Sequence, residues 1–156
     1  MIKLVRIDDR LVHGQVAFTW VSALGIDCLI VANDKVAEDD FLKMTMGLAK
    51  PANVKLVILT IQNAIAWLTD PRGKNLKVLV LVNSVNDASY LSNGVSEIKS
   101  INFGGIRIKE GAKLISKAIA LNEDDIAIIR QLAEKGLELE IRQVPSDKKQ
   151  MIQNLI

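Results

Sequence analysis

Val78-Leu79-Val80-Leu81-Val82 is an unbroken run of five aliphatic residues, with Lys77 before it and Asn83-Ser84 after it. A strand with one wet face alternates apolar and polar residues; a run without alternation reads as a strand covered on both faces. Val54-Lys55-Leu56-Val57-Ile58-Leu59 has the same character. Outward from these two, short β-branched runs alternate with segments of helical period. Strands are predicted at residues 3–7, 28–33, 54–60, 78–83, 98–103, 116–121 and 137–144. That alternation is the pattern of repeated βα units around a mostly parallel sheet, an α/β fold with helices on both faces.

The predicted helices fall between the strands. One opens at Gln15 and places Val16, Trp20, Ala23 and Leu24 on one face. A second covers 38–49, with Phe41, Leu42, Met46 and Leu48 available for burial, and a third covers 62–70 and ends before Pro71. A weaker one spans 86–92 and stops at Asn93-Gly94. The best defined is 123–135, where Asn122 can cap, Glu123, Asp124 and Asp125 suit the first turn, and Gly136 ends the helix. The tail 147–156 reads as a short helix after Pro145, and 109–117 fits neither state. Trp20 and Trp67 read as helix-to-sheet packing residues.

Composition bounds the function. The 156 residues are 49% hydrophobic, 4% aromatic and 24% charged, which fits one domain over 1–156 with an aliphatic core. A net charge of +2, with no basic block interleaved with aromatics, argues against nucleic acid as a partner. The one cysteine, Cys28, lies in an apolar run, reads as a small buried hydrophobe and points to a reducing compartment. One histidine and one cysteine do not make a zinc site. No signal-like segment opens the sequence, and no apolar run reaches the roughly 18 residues of a membrane helix, so a cytoplasmic protein is expected.

The single histidine, His13, stands in Arg6-Ile7-Asp8-Asp9-Arg10-Leu11-Val12-His13-Gly14-Gln15, between the first strand and the first helix. Ligands of open parallel sheets bind beyond the carboxyl ends of the strands, and this loop carries the charge there. Gly14 allows a tight turn into a helix whose first N–H groups, from Gln15 onward, suit an anion. Arg10, with Arg6, supplies fork-shaped donors for a phosphate on the imidazole. Asp8 or Asp9 can accept the proton of one ring nitrogen and leave the other as nucleophile. Asp8-Asp9 would equally well end the strand or cap the helix. Ser84 at a strand end is a further donor, and Gly104-Gly105 reads first as turn geometry and second as a point of ligand approach.

The familiar nucleotide loops, the G-x-S-x-G elbow and a visible catalytic triad are absent. A phosphoaspartate receiver would use Asp8-Asp9 as an acidic pair but wants an aspartate after the third strand, where Thr60 stands. A non-enzymatic regulatory module that senses a phosphorylated partner also fits the loop.

The loop from Arg6 to Val16, together with Trp20, Ala32-Asn33-Asp34, Asn102-Phe103-Gly104-Gly105 and Gln143-Val144-Pro145-Ser146-Asp147, resembles the IIB component of the mannose/fructose/sorbose family of the bacterial sugar phosphotransferase system. The resemblance implies a three-layer αβα phosphocarrier with a largely parallel sheet of about seven strands. It further implies that His13 takes a phosphoryl group at Nδ1 from a IIA partner and passes it to a sugar as membrane IIC and IID components translocate it. Arg10 and Gly14 would belong to the loop, and no cofactor or metal is implied. The protein would work at the inner face of the membrane, and a homodimer is compatible with the family. The sugar, whether mannose, fructose, sorbose, N-acetylgalactosamine or another, is not written in this chain.

Overall fold

A computed structural model describes residues 1–156. Strands β1 (Ile2–Asp8), β2 (Cys28–Ala32), β3 (Lys55–Leu59), β4 (Val78–Val82) and β5 (Ser100–Gly105) are followed by a short pair, β6 (Lys113–Leu114) and β7 (Ala120–Leu121), then β8 (Glu138–Ile141) and β9 (Gln150–Met151). Seven of them form one sheet in the order β3-β2-β4-β1-β5-β8-β9. Its pairs are parallel except for β9 against β8.

The sheet explains the unbroken run at Val78. Successive side chains of a strand point to opposite faces, and here both faces are dry. Leu79 and Leu81 join Leu4, Leu29 and Val31 beneath Ala17, Trp20, Val36 and Met46. These come from α1 (Gly14–Leu24), α2 (Asp34–Ala37) and α3 (Asp40–Ala49). Val78, Val80 and Val82 join Val5, Ile7 and Ile30 against Ala64, Leu91, Ile129 and Leu132, from α4 (Ile61–Thr69), α5 (Val85–Gly94) and α6 (Glu123–Glu134). Each buried aliphatic side chain contributes about 1.5–3 kcal/mol relative to exposure. The expected three layers and mostly parallel sheet are therefore present.

Side-chain caps set most helix starts. Asn33, Asp39, Thr60 and Ser84 each accept a backbone N–H three residues on. Asn122 and Asp125 form a reciprocal capping box on α6. Cys28 is fully buried, and burial pushes its thiol up from the ordinary value, as a packing role requires. No helix is long and apolar enough to cross a membrane.

Four expectations are corrected. Of residues 116–121, only Ala120–Leu121 is strand, paired with Lys113–Leu114 outside the main sheet; the N–H groups of Ile115 and Ser116 both turn onto the Ile119 carbonyl. The strand expected over 137–144 stops at Ile141, because the Asp147 carboxylate takes the N–H groups of Gln143 and Val144. The tail is not an α-helix: Gln150–Met151 pairs with the open edge of β8, and Ile152–Leu155 makes a 3₁₀ turn that buries Ile152. The helix over 38–49 is present but starts at Asp40, because Asp39 caps it. On α3 the stripe through Leu42, Met46 and Ala49 faces the sheet, which leaves Phe41 at 68% and Leu48 at 84% exposed.

Replacing Asn122 with Ala removes the side-chain half of the capping box, the bond that Asn122 Oδ1 accepts from the Asp125 N–H. A loss of about 1 kcal/mol in unfolding free energy is expected, measured as a lower denaturant midpoint at unchanged slope.

Candidate functional site

Leu4, Arg6 and Asp8 alternate along β1 toward the face covered by α1. The first is apolar; the other two are charged and almost wholly buried, at 2% and 1% exposure. A buried guanidinium needs acceptors for its donors, and Arg6 has four. Nη1 donates to Asn102 Oδ1 at 2.7 Å and the Arg142 carbonyl at 3.0 Å. Nη2 donates to Asp8 Oδ2 at 3.3 Å and the Gln143 carbonyl at 3.2 Å. Burial lowers the Arg6 pKa from its ordinary value, and Asp8, with Glu140 behind it, opposes that shift.

The network continues across the sheet. Asn102 on β5 donates from Nδ2 to Glu140 Oε1 on β8 at 3.0 Å. Arg142 forks onto Glu140 through Nε and Nη2, both at 3.0 Å. Trp20 of α1 closes this face: its Nε1 donates to the Gln143 carbonyl at 3.0 Å, and the Arg6 and Arg142 guanidinium carbons lie 5.3 and 5.0 Å from its ring centroid. Gly104 lies in β5 against Arg6. A Cβ there would fall 2.1 Å from the Arg6 guanidinium carbon, so only glycine leaves room.

Asp8 is where this buried network meets the loop. Its Oδ1 accepts the Arg10 backbone N–H at 3.1 Å and has the Arg10 Nε at 3.6 Å. Its Oδ2 lies 3.0 Å from His13 Nε2. A turn from the Leu11 N–H to the Asp8 carbonyl brings the chain round. Leu11 takes a left-handed φ of 56°, a conformation costing roughly 1–2 kcal/mol for a residue with a Cβ; its side chain, 4% exposed in the cluster with Trp20, holds it there. His13 is the N-cap residue of α1 and makes no side-chain cap bond, so its ring is free for other contacts. Gly14 follows with φ 38°. Asp9 points the other way: its Oδ2 accepts the Arg107 backbone N–H at 2.8 Å and Nε at 3.0 Å.

The model of the family described as "PTS system sorbose subfamily IIB component" matches residues 2–156. The chain belongs to this family. The sorbose-specific EIIB component of Lacticaseibacillus casei is 35% identical over 147 residues, covering 94% of this chain and 90% of the relative. The mannose-specific EIIAB component of Escherichia coli K12 is 33% identical over all of this chain, which spans 48% of that longer protein. Among solved structures, the IIB domain of the Klebsiella pneumoniae sorbose permease superposes with a TM-score of 0.94 at 30% identity, over 99% of this chain and 94% of the other.

In this IIB component Arg6, Asp8, Arg10 and His13 come together, as the loop reading places them. Five assignments change or are decided. Arg6 is not free for a phosphate, since all its bonds go to the protein, while Arg10, with a side chain 52% exposed, approaches Asp8 only through Nε and keeps its terminal nitrogens available. Asp8 rather than Asp9 meets the imidazole, and neither caps the helix. Gly104-Gly105 is strand rather than turn, and serves Arg6. Ser84 spends its hydroxyl on capping α5. Gly14, not Gln15, opens α1, and Gln15 is exposed. The sequence reading missed Glu140, Arg142, Arg107 and the part Asn102 plays. Glu138, Glu140 and Arg142 do alternate, but polar alternation ordinarily marks a wet face.

Replacing Gly104 with Ala should push Arg6 from its four acceptors and cost about 1–3 kcal/mol, as overpacking does. Denaturant unfolding measures the loss, and a crystal structure of the variant would show the Arg6 guanidinium displaced.

Proposed function

We propose that this IIB component carries a phosphoryl group on His13 Nδ1, accepted from a phosphohistidine of a IIA partner and delivered to a hexose or amino sugar. The 3.0 Å approach of His13 Nε2 to Asp8 Oδ2 carries the reading. A carboxylate only accepts, so Nε2 holds the ring proton and Nδ1 keeps its lone pair. The ring is 21% exposed against 1% for Asp8, which leaves it within reach of a partner while its orienting carboxylate stays dry.

Two transfers follow. The Nδ1 lone pair of His13 attacks the phosphorus of the donor; the P–N bond to the donor imidazole breaks, and that imidazole keeps the electron pair. The sugar hydroxyl oxygen then attacks the same phosphorus, the bond to His13 breaks with its electron pair returning to Nδ1, and the hydroxyl proton passes to water. Phosphoryl transfer depends on position and charge. The donated group meets the Arg10 guanidinium and the uncapped first-turn N–H groups of α1. High transfer potential in the donor phosphohistidine makes a nucleotide unnecessary.

Partners and place rest on the family. The E. coli relative carries the name EIIAB, which supports a IIA partner. The proposal includes membrane IIC and IID partners, which the protein would meet from the cytoplasm at the inner face of the membrane. The relatives named for sorbose, fructose and mannose support a sugar of that class. A receiver-type use of Asp8 is disfavoured, because Arg6, Arg10 and His13 already occupy its carboxylate.

Phosphorylation by phospho-IIA should vanish in His13→Ala while the melting temperature stays close to that of the parent chain. Mass spectrometry should find one phosphoryl group on the parent, lost in acid and kept in base. Normal labelling of the variant would defeat the proposal, no mass gain in the parent would favour a sensor, and a base-labile adduct would favour an aspartyl phosphate.

A further inference from the structure

We infer that Glu140 and Asn102 are positioning residues for His13, acting through Arg6 and Asp8. The inference rests on the reading of His13 as the phosphoryl acceptor. Neither residue is near the solvent: Glu140 is 2% exposed and Asn102 0%. Packing does not ask for them, since apolar residues of like shape hold a core at least as well as a buried ion pair. What they supply is direction.

Asn102 is the joint. Its Oδ1 faces a guanidinium and its Nδ2 faces a carboxylate, so the amide has one favourable orientation and couples Glu140 to Arg6. Arg6 in turn has no second place to go. Gly104 lies against one side of its guanidinium, the Trp20 ring lies 5.3 Å away, and its in-plane donors are bound by Asn102, Asp8 and two carbonyls. From this position it fixes Asp8 Oδ2, the atom that meets His13 Nε2. The line Glu140, Asn102, Arg6, Asp8, His13 thus crosses β8, β5 and β1 and ends on the reacting ring.

Charge gives the line its force. The cluster holds two cations, the buried Arg6 and the part-buried Arg142, and two buried anions, Asp8 and Glu140. With Glu140 neutralised, both guanidiniums beside Trp20 have Asp8 as their one buried counter-charge. Asp8 is then drawn toward them and away from His13. The ring proton is no longer held on Nε2, and where it moves to Nδ1 it occupies the lone pair that must attack phosphorus.

Because the chain has one histidine, ¹⁵N NMR of the imidazole reads its tautomer without ambiguity and without any partner. The parent chain should show the proton on Nε2. The isosteric Glu140→Gln and the shape-matched Asn102→Leu should lose that preference and take phosphate from phospho-IIA at least about tenfold more slowly, the usual size of an outer-shell effect, while each unfolds in one cooperative step. A purely structural role would lower stability and leave the tautomer and rate untouched; that result in either folded variant overturns the inference. A parent ring protonated at Nδ1 overturns it without recourse to variants. If the tautomer responds but the parent takes no phosphate, the proposed function fails and the positioning line stands; the reverse result separates them the other way.

Discussion

Asp8 carries a carboxylate at 1% exposure, and a buried carboxylate holds its charge only where protein donors replace water. Most of what is unusual in this molecule follows from supplying those donors. Arg6 comes from the same strand, two residues back, and therefore from the same face. Arg10 and His13 come from the loop that the strand feeds, bent back by the left-handed Leu11. The acceptor that satisfies these donors is also the one that meets the His13 ring, at Nε2.

Arg6 carries the cost inward. A buried guanidinium requires further acceptors, and these are drawn from two neighbouring strands and the chain leaving β8. The resulting polar layer occupies the face of β1, β5 and β8 that α1 covers with Trp20, whereas their other face is apolar with Val5, Ile7, Ile101, Phe103 and Leu139. One half of the sheet's covered face thus serves the loop, and the rest serves stability. Glycine at 104 is part of the same arrangement, since any side chain there would stand where Arg6 stands.

The strand pattern was legible because five consecutive aliphatic residues at Val78 have few other uses, and the α6 start was legible because its cap is local in sequence. The start of α3 at Asp40 and the outward turn of Phe41 and Leu48 were harder to read: apolar content suggested burial, but only one stripe of α3 meets the sheet. The tail misled for a different reason. Its helical period is real over a few residues, yet an unpaired edge of β8 offered backbone partners that a helix would have forgone.

At the site, the sequence by itself determined that one imidazole, two carboxylates, an arginine and a glycine share a loop after the first strand, and it tied that loop to a family. Local spacing suffices for this, because a strand end and a helix start fix where the residues between them lie. Only the tertiary structure decided that Asp8 rather than Asp9 faces the ring, that Arg6 is spent inside the protein, and that Glu140 and Asn102 stand behind it. Those facts depend on which strands become neighbours: β5 pairs with β1, and β8 with β5, across separations of 96 residues from Arg6 to Asn102 and 38 from Asn102 to Glu140 that no local pattern spans. Parallel pairing in register is what turns distant polar residues into one connected line ending at His13.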